Sequence, residues 1–142
     1  MSKPEHLQAT EAYVESIFGP GTGERHVRFL ERIRNPALRE MIHRYHSLEA
    51  DTSELSLHEN YLIGMSVLLA QRDHLTAALF AKTLLHLGMR QEKLLEACAR
   101  LSMWIGGLPA AEATFVVQRA IREYEKEGLA SLDVWFPSEP SK

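Results

Sequence analysis

The stretch RDHLTAALFAKTLLHLG, residues 72–88, decides how the chain is read. It has the length and composition of a single helix. Asp73 can cap its start, alanine and leucine fill its middle, and Gly88 suits the left-handed residue that follows a helix end. His74 and His86 invite reading as a pair. They lie 12 residues apart, which is roughly 18 Å along the axis with the two side chains about 120° apart around it. They cannot share a ligand. His86, in the last turn, suits the negative end of the helix dipole. His74, in the first turn, is the one that can face a site.

The same alternation of apolar segments and breakers continues on both sides. A first helix is predicted from Glu5 to Phe18, ended by GPGTG at 19–23. A second follows from Glu24 to Ile33. Asn35 and Pro36 form an N-cap and first-turn pair for a third, over 36–49. EADTSELS, residues 49–56, reads as a loop. Ser56 opens a fourth helix reaching Gln71, and the fifth is the stretch quoted above. A sixth runs from Gln91 to Ile105, and Pro109 opens a seventh that reaches Glu127. Alternating β-type runs are missing. The expectation is an all-α, single-domain bundle of about seven helices over residues 1–130, with a disordered tail at 131–142.

Composition narrows the partners. The 142 residues suffice for one core. A net charge of −3 with acids and bases interleaved offers no basic stripe for nucleic acid. The longest near-apolar run, YLIGMSVLLA at 61–70, is half of the roughly 20 residues a membrane span needs. The N-terminus has no apolar run of the secretory kind. A single cysteine, Cys98, cannot form an internal disulfide, which fits a cytoplasmic setting. It lies on a core stripe with Leu94, Leu101 and Ile105, where a buried structural thiol is expected.

The fourth helix is apolar on nearly all sides, so burial on most sides is expected. The seventh has its own stripe of Ala113, Val117, Ala120, Ile121 and Tyr124. Val67, Leu69, Met103, Trp104 and Phe115 lie largely off these stripes. That excess predicts an interface between subunits.

Three segments carry a resemblance: LSLHENYLIGMSVLLAQRD at 55–73, AKTLLHLGMRQEKLLEA at 81–97 and MWIGGLPAAEATFVVQRAI at 103–121. In their order and spacing, Leu55 to Arg122 resembles the carboxymuconolactone decarboxylase family, which includes the alkyl hydroperoxidase D-like proteins. FGPGTGERHVRFL at 18–30 is compatible with the N-terminal part of the decarboxylase branch. The resemblance implies an all-helical subunit that assembles into homotrimers or homohexamers. It also locates departures. The peroxidase branch keeps a Cys-x-x-Cys three residues before a histidine, itself eight residues before the glycine. Counted back from Gly88, those positions hold His74, Ala77 and Phe80. Without the thiols, peroxidase chemistry of that type is not expected. The decarboxylase branch keeps a glutamate four residues before the same histidine. Here Thr76 stands there, and neither Thr76 nor Phe80 is a general acid or base near neutral pH.

The resemblance therefore leaves a pocket expected around Tyr61, Thr76, Ala77, Phe80 and Trp104, with His74 as its replacement catalytic group. Glu59 is a second candidate, contributed from another subunit. Ser56 and Glu59 also match a capping box, which accounts for the glutamate without catalysis. His43, His46 and Glu49 step along one helix at i, i+3 and i+6; the two histidines are the secondary candidates for a metal, for which no third ligand stands out. The expected function is cofactor-independent proton transfer on a small organic acid, lactone or carbonyl compound. The alternative is a non-catalytic oligomeric member that binds a small apolar ligand or serves as an assembly scaffold.

Overall fold

The caps written in the sequence set the helix boundaries. In a computed structural model, which describes residues 2–51 and 54–137, seven α-helices are present among the described residues and no strand is. They are α1 (Glu5–Phe18), α2 (Thr22–Glu31), α3 (Pro36–Ala50), α4 (Leu57–Ala70), α5 (His74–His86), α6 (Gln91–Ile105) and α7 (Gly107–Glu127), followed by a 3-10 turn at Gly128–Leu132. The Asn35 side chain accepts from the Leu38 amide at 3.1 Å, with Pro36 in the first turn. Asp73 Oδ1 accepts from the Thr76 amide at 3.2 Å. Beyond α5, Gly88 takes φ +89. The Met89 amide then donates to the Leu84 carbonyl and the Gly88 amide to that of Leu85, which together form a Schellman motif. No helix among the described residues is long and apolar enough to cross a membrane.

Contacts gather the chain into two compact units. One comprises residues 1–54 with 132–142, the other residues 55–131. Of the loop expected at 49–56, residues 52 and 53 lie outside the described residues, as do 138–142 of the expected tail.

In the first unit, α1 and α2 form a hairpin around Gly19 and Gly21, both at positive φ. The second helix starts two residues earlier than expected because Gly23 belongs inside it. A Cβ on Gly23 would lie 2.3 Å from the Glu11 carbonyl oxygen, so only glycine lets the two helices come this close. Helix α3 runs parallel to α1, with contacts from Thr10 to His43 and Tyr13 to Glu49. Residues 132–137, expected within the disordered tail, carry the buried Leu132 and Phe136. Phe136 packs on Phe18 with ring centroids 4.8 Å apart, and the Arg25 guanidinium donates to the Phe136 carbonyl. Two aromatic side chains offset the ordering cost of the short segment.

The second unit is built on small residues. Ala77 and Ala81 on α5 and Ala113 and Ala120 on α7 are buried, and small side chains let helix axes approach. Ion pairs from His74 to Glu112 and from Lys82 to Glu123 show that α5 and α7 run parallel. Helix α4 runs antiparallel to α5, with Tyr61 against Phe80 at one level and His58 against the Leu87 carbonyl at the end. Helices α6 and α7 form a hairpin about Gly106, at φ +90. The end of α4, the start of α5, the end of α6 and the start of α7 therefore share one end of the unit. Met65, Leu84, Leu94, Cys98 and Val117 are fully enclosed.

Helix α4 corrects one expectation. It buries a single stripe, Tyr61, Met65 and Leu69, and leaves Ile63 and Val67 about half exposed. It lies mainly against α5, with lesser contacts to α6 and α7, and Ile63 and Val67 stay at the surface of the single chain.

Candidate functional site

The face of α5 expected to line a pocket is occupied by packing. Ala77 is fully buried, while Thr76 and Phe80 are half-buried. The Phe80 ring lies over Gly64 of α4, with Cε2 only 2.5 Å from where a Cβ at 64 would stand. Its centroid is 5.0 Å from that of Tyr61. Phe80 and Tyr61 thus form an aromatic pair, with the Phe80 ring seated on the backbone of α4 at Gly64.

Within one chain His74 and Glu59 are not brought together. His74 is in the first turn of α5, and its Nε2 lies 3.3 Å from Glu112 Oε1 on α7. Arg72, the one described non-glycine residue at positive φ, points Nε at the other oxygen of Glu112 at 4.0 Å. Glu59 is at the opposite end of the antiparallel pair α4 and α5. Its carboxylate accepts from the Ser56 amide at 2.8 Å and its amide donates to Ser56 Oγ at 3.1 Å, completing the capping box. Those Ser56 hydrogen bonds hold the Glu59 carboxyl below its ordinary range. Glu112 was not legible in the sequence, because α5 and α7 meet only through the fold.

Trp104, expected as a pocket wall, is 82% exposed at the end of α6, beside Met103 at 77% and Leu108 at 86%. Leu75, in the first turn of α5, is also exposed. These four apolar side chains belong to the same end of the unit as His74 and Glu112. At the other end, an open cleft of about 780 Å³ is lined by His58, Gly88, Arg90, Glu92, Lys93 and Glu96 among others. His58 Nε2 donates to the Leu87 carbonyl at 2.8 Å, and two basic and two acidic residues balance each other around the rim.

Two further groups lie in cores. Cys98 is enclosed, and burial pushes its thiol up to about 11, so it is no nucleophile near neutral pH. Lys82, in the middle of the quoted stretch, is buried. It donates to the Ser131 carbonyl at 2.9 Å and pairs with Glu123 Oε2 at 2.6 Å. That pairing holds the Glu123 carboxyl below its usual range.

The two histidines of α3 do not converge on a shared ligand. His43 Nδ1 contacts Thr10 Oγ1 at 2.7 Å. His46 instead meets His26 Nε2 at 3.1 Å and Glu49 Oε2 at 3.4 Å. Among the described residues no group of three histidine, cysteine or acidic side chains can hold a metal ion. His26, on α2, had no signal in the sequence. Its neighbours come from α3 and from residue 135, distant in the chain.

No protein-family model matches the chain, and neither a curated protein nor a solved structure matches it.

Proposed function

We propose that the chain is a non-catalytic, homo-oligomeric subunit on a carboxymuconolactone decarboxylase-like scaffold, assembling through the end of the second unit that bears Leu75, Met103, Trp104 and Leu108. One observation carries this reading: three of these large apolar side chains are more than three-quarters exposed in the single chain. Large apolar side chains left exposed at one end of a unit are characteristic of interaction sites. A second copy is the occupant that needs no further component, and the trimer or hexamer is the closed assembly that the family resemblance implies. The packing of Phe80 on Gly64 and Tyr61, where the related acid–base pair would stand, supports a scaffold role. Trp104 tests the reading. In a Trp135→Phe chain, acrylamide should quench Trp104 weakly at high protein concentration and strongly on dilution. Strong quenching at every concentration would contradict assembly through this surface.

One observation favours a second reading, proton transfer on a small organic acid, lactone or carbonyl compound. His74 stands beside a carboxylate, the arrangement that orients an imidazole for general-base work. A thermal-shift screen of small acids and lactones, repeated on His74→Ala, tests it. A ligand whose shift survives the substitution unchanged removes His74 from the site.

A further inference from the structure

Two imidazoles face each other in the first unit, away from the residues of the assembly surface. His26, on α2, and His46, on α3, meet through their Nε2 atoms at 3.1 Å. The outer nitrogen of each ring faces an oxygen acceptor. His26 Nδ1 lies 3.2 Å from the Trp135 carbonyl, and His46 Nδ1 lies 3.4 Å from Glu49 Oε2. The Tyr13 hydroxyl donates to that same carboxylate oxygen at 2.9 Å and helps to fix it. A metal-bound histidine is built in this way: one nitrogen is turned to a carbonyl or carboxylate, and the other presents its lone pair to the ion. Burial, with His46 second, holds the His26 pKa down at about 4, so this ring is neutral near pH 7, the form that ligates.

The spacing of the two Nε2 atoms is that of neighbouring ligands on one ion. Bonds of about 2.0–2.1 Å to a zinc-like ion set two imidazole nitrogens about 2.9 Å apart at a right angle and about 3.3 Å apart at the tetrahedral angle. The observed 3.1 Å lies between these values. We propose that His26 and His46 are the two protein ligands of a divalent transition-metal site, of the zinc, nickel or copper class, that joins α2 to α3. Imidazole nitrogen suits these ions. Among the described residues no group of three histidine, cysteine or acidic side chains is available, so the chain supplies two ligands and solvent the rest. Solvent reaches the pair on the His46 side, where the side chain is 15% exposed. His26 is enclosed, with the rings of Phe29, Trp135 and Phe136 around it. The partner of His46 is thus a histidine on another helix, while His43, its neighbour by spacing, turns Nδ1 to Thr10.

The test is a calorimetric titration of the full chain with Zn²⁺ near neutral pH. One ion should bind per chain. A lost outer-shell partner costs about 10–100-fold in metal affinity, and a lost ligand at least as much. His26→Ala and His46→Ala should therefore each weaken binding by about tenfold or more, with helicity by circular dichroism unchanged, while His43→Ala should leave the affinity as it was. Absence of binding overturns the site. So does an affinity that none of these substitutions changes, or one that follows His43 and not His26. Should His26→Ala or His46→Ala fail to fold, nitrogen NMR of the parent chain decides. Zn²⁺ should shift Nε2 of both His26 and His46 together; a Zn²⁺ titration that leaves either Nε2 unmoved overturns the site.

Discussion

Gly23 shows how much one side chain can decide. Its Cα faces the backbone of Glu11 with no space for a methyl group. Gly23→Ala should therefore force α1 and α2 apart and destabilise the chain by about 2 kcal/mol, as overpacking of close contacts does; a urea titration measures it. His26 gives a pH dependence of known sign. Its pKa falls from 6.5 to about 4 on folding, so the unfolded chain takes up the proton first. The contribution of His26 is full above pH 6.5, declines as pH falls from 6.5 to about 4, and changes no further below. The loss is on the order of 3 kcal/mol. Urea midpoints at pH 7 and pH 4.5 should differ accordingly, and by much less in His26→Gln. The sequence showed these residues only in part. GPGTG announced a break, but its last glycine proved to be a packing residue. The spacing of His43 and His46 suggested shared ligation; the fold gave each a different partner, because Thr10 and His26 lie on other helices.

At the level of the element, local chemistry was the readable part. Ser56 with Glu59, Asn35 with Pro36, Asp73 and Gly88 act within a few residues, and each performs its expected capping role. Ser56→Ala should cost about 1 kcal/mol, read as a lower thermal midpoint without loss of helices other than the first turn of α4. What a helix packs against is not local: which apolar residues of α4 are enclosed within the chain, Tyr61, Met65 and Leu69, and which stay at its surface, Ile63 and Val67, shows only in the fold. Lys82 was equally hidden: a lysine within AKTLL reads as a solvated position until α7 and Ser131 close over it. Because Lys82 is buried while Glu123 is 39% exposed, the two halves should respond unequally. Glu123→Ala leaves the buried lysine amine with the Ser131 carbonyl alone and should cost about 2 kcal/mol, less than for a fully buried pair because the carboxylate is partly solvated. Lys82→Met replaces the amine by apolar volume and should be tolerated within about 1 kcal/mol. Chemical denaturation of both variants measures the asymmetry.

For the whole molecule, the sequence yielded the all-helical class, while the division near residue 54 and the return of the chain at residue 132 appear only in its contacts. No Pro- or Gly-rich linker marks either point. The apolar excess was also legible, in Met103, Trp104 and Phe115, and the single chain leaves all three exposed. The proposed scaffold role rests on what covers them. Sedimentation equilibrium of the wild-type chain and of Trp104→Glu combined with Leu108→Glu tests it most directly. The wild type should sediment at three or six times the chain mass of 16.1 kDa, and the double variant at 16.1 kDa with its helicity intact. A wild type that stays at 16.1 kDa at every concentration would contradict the proposal.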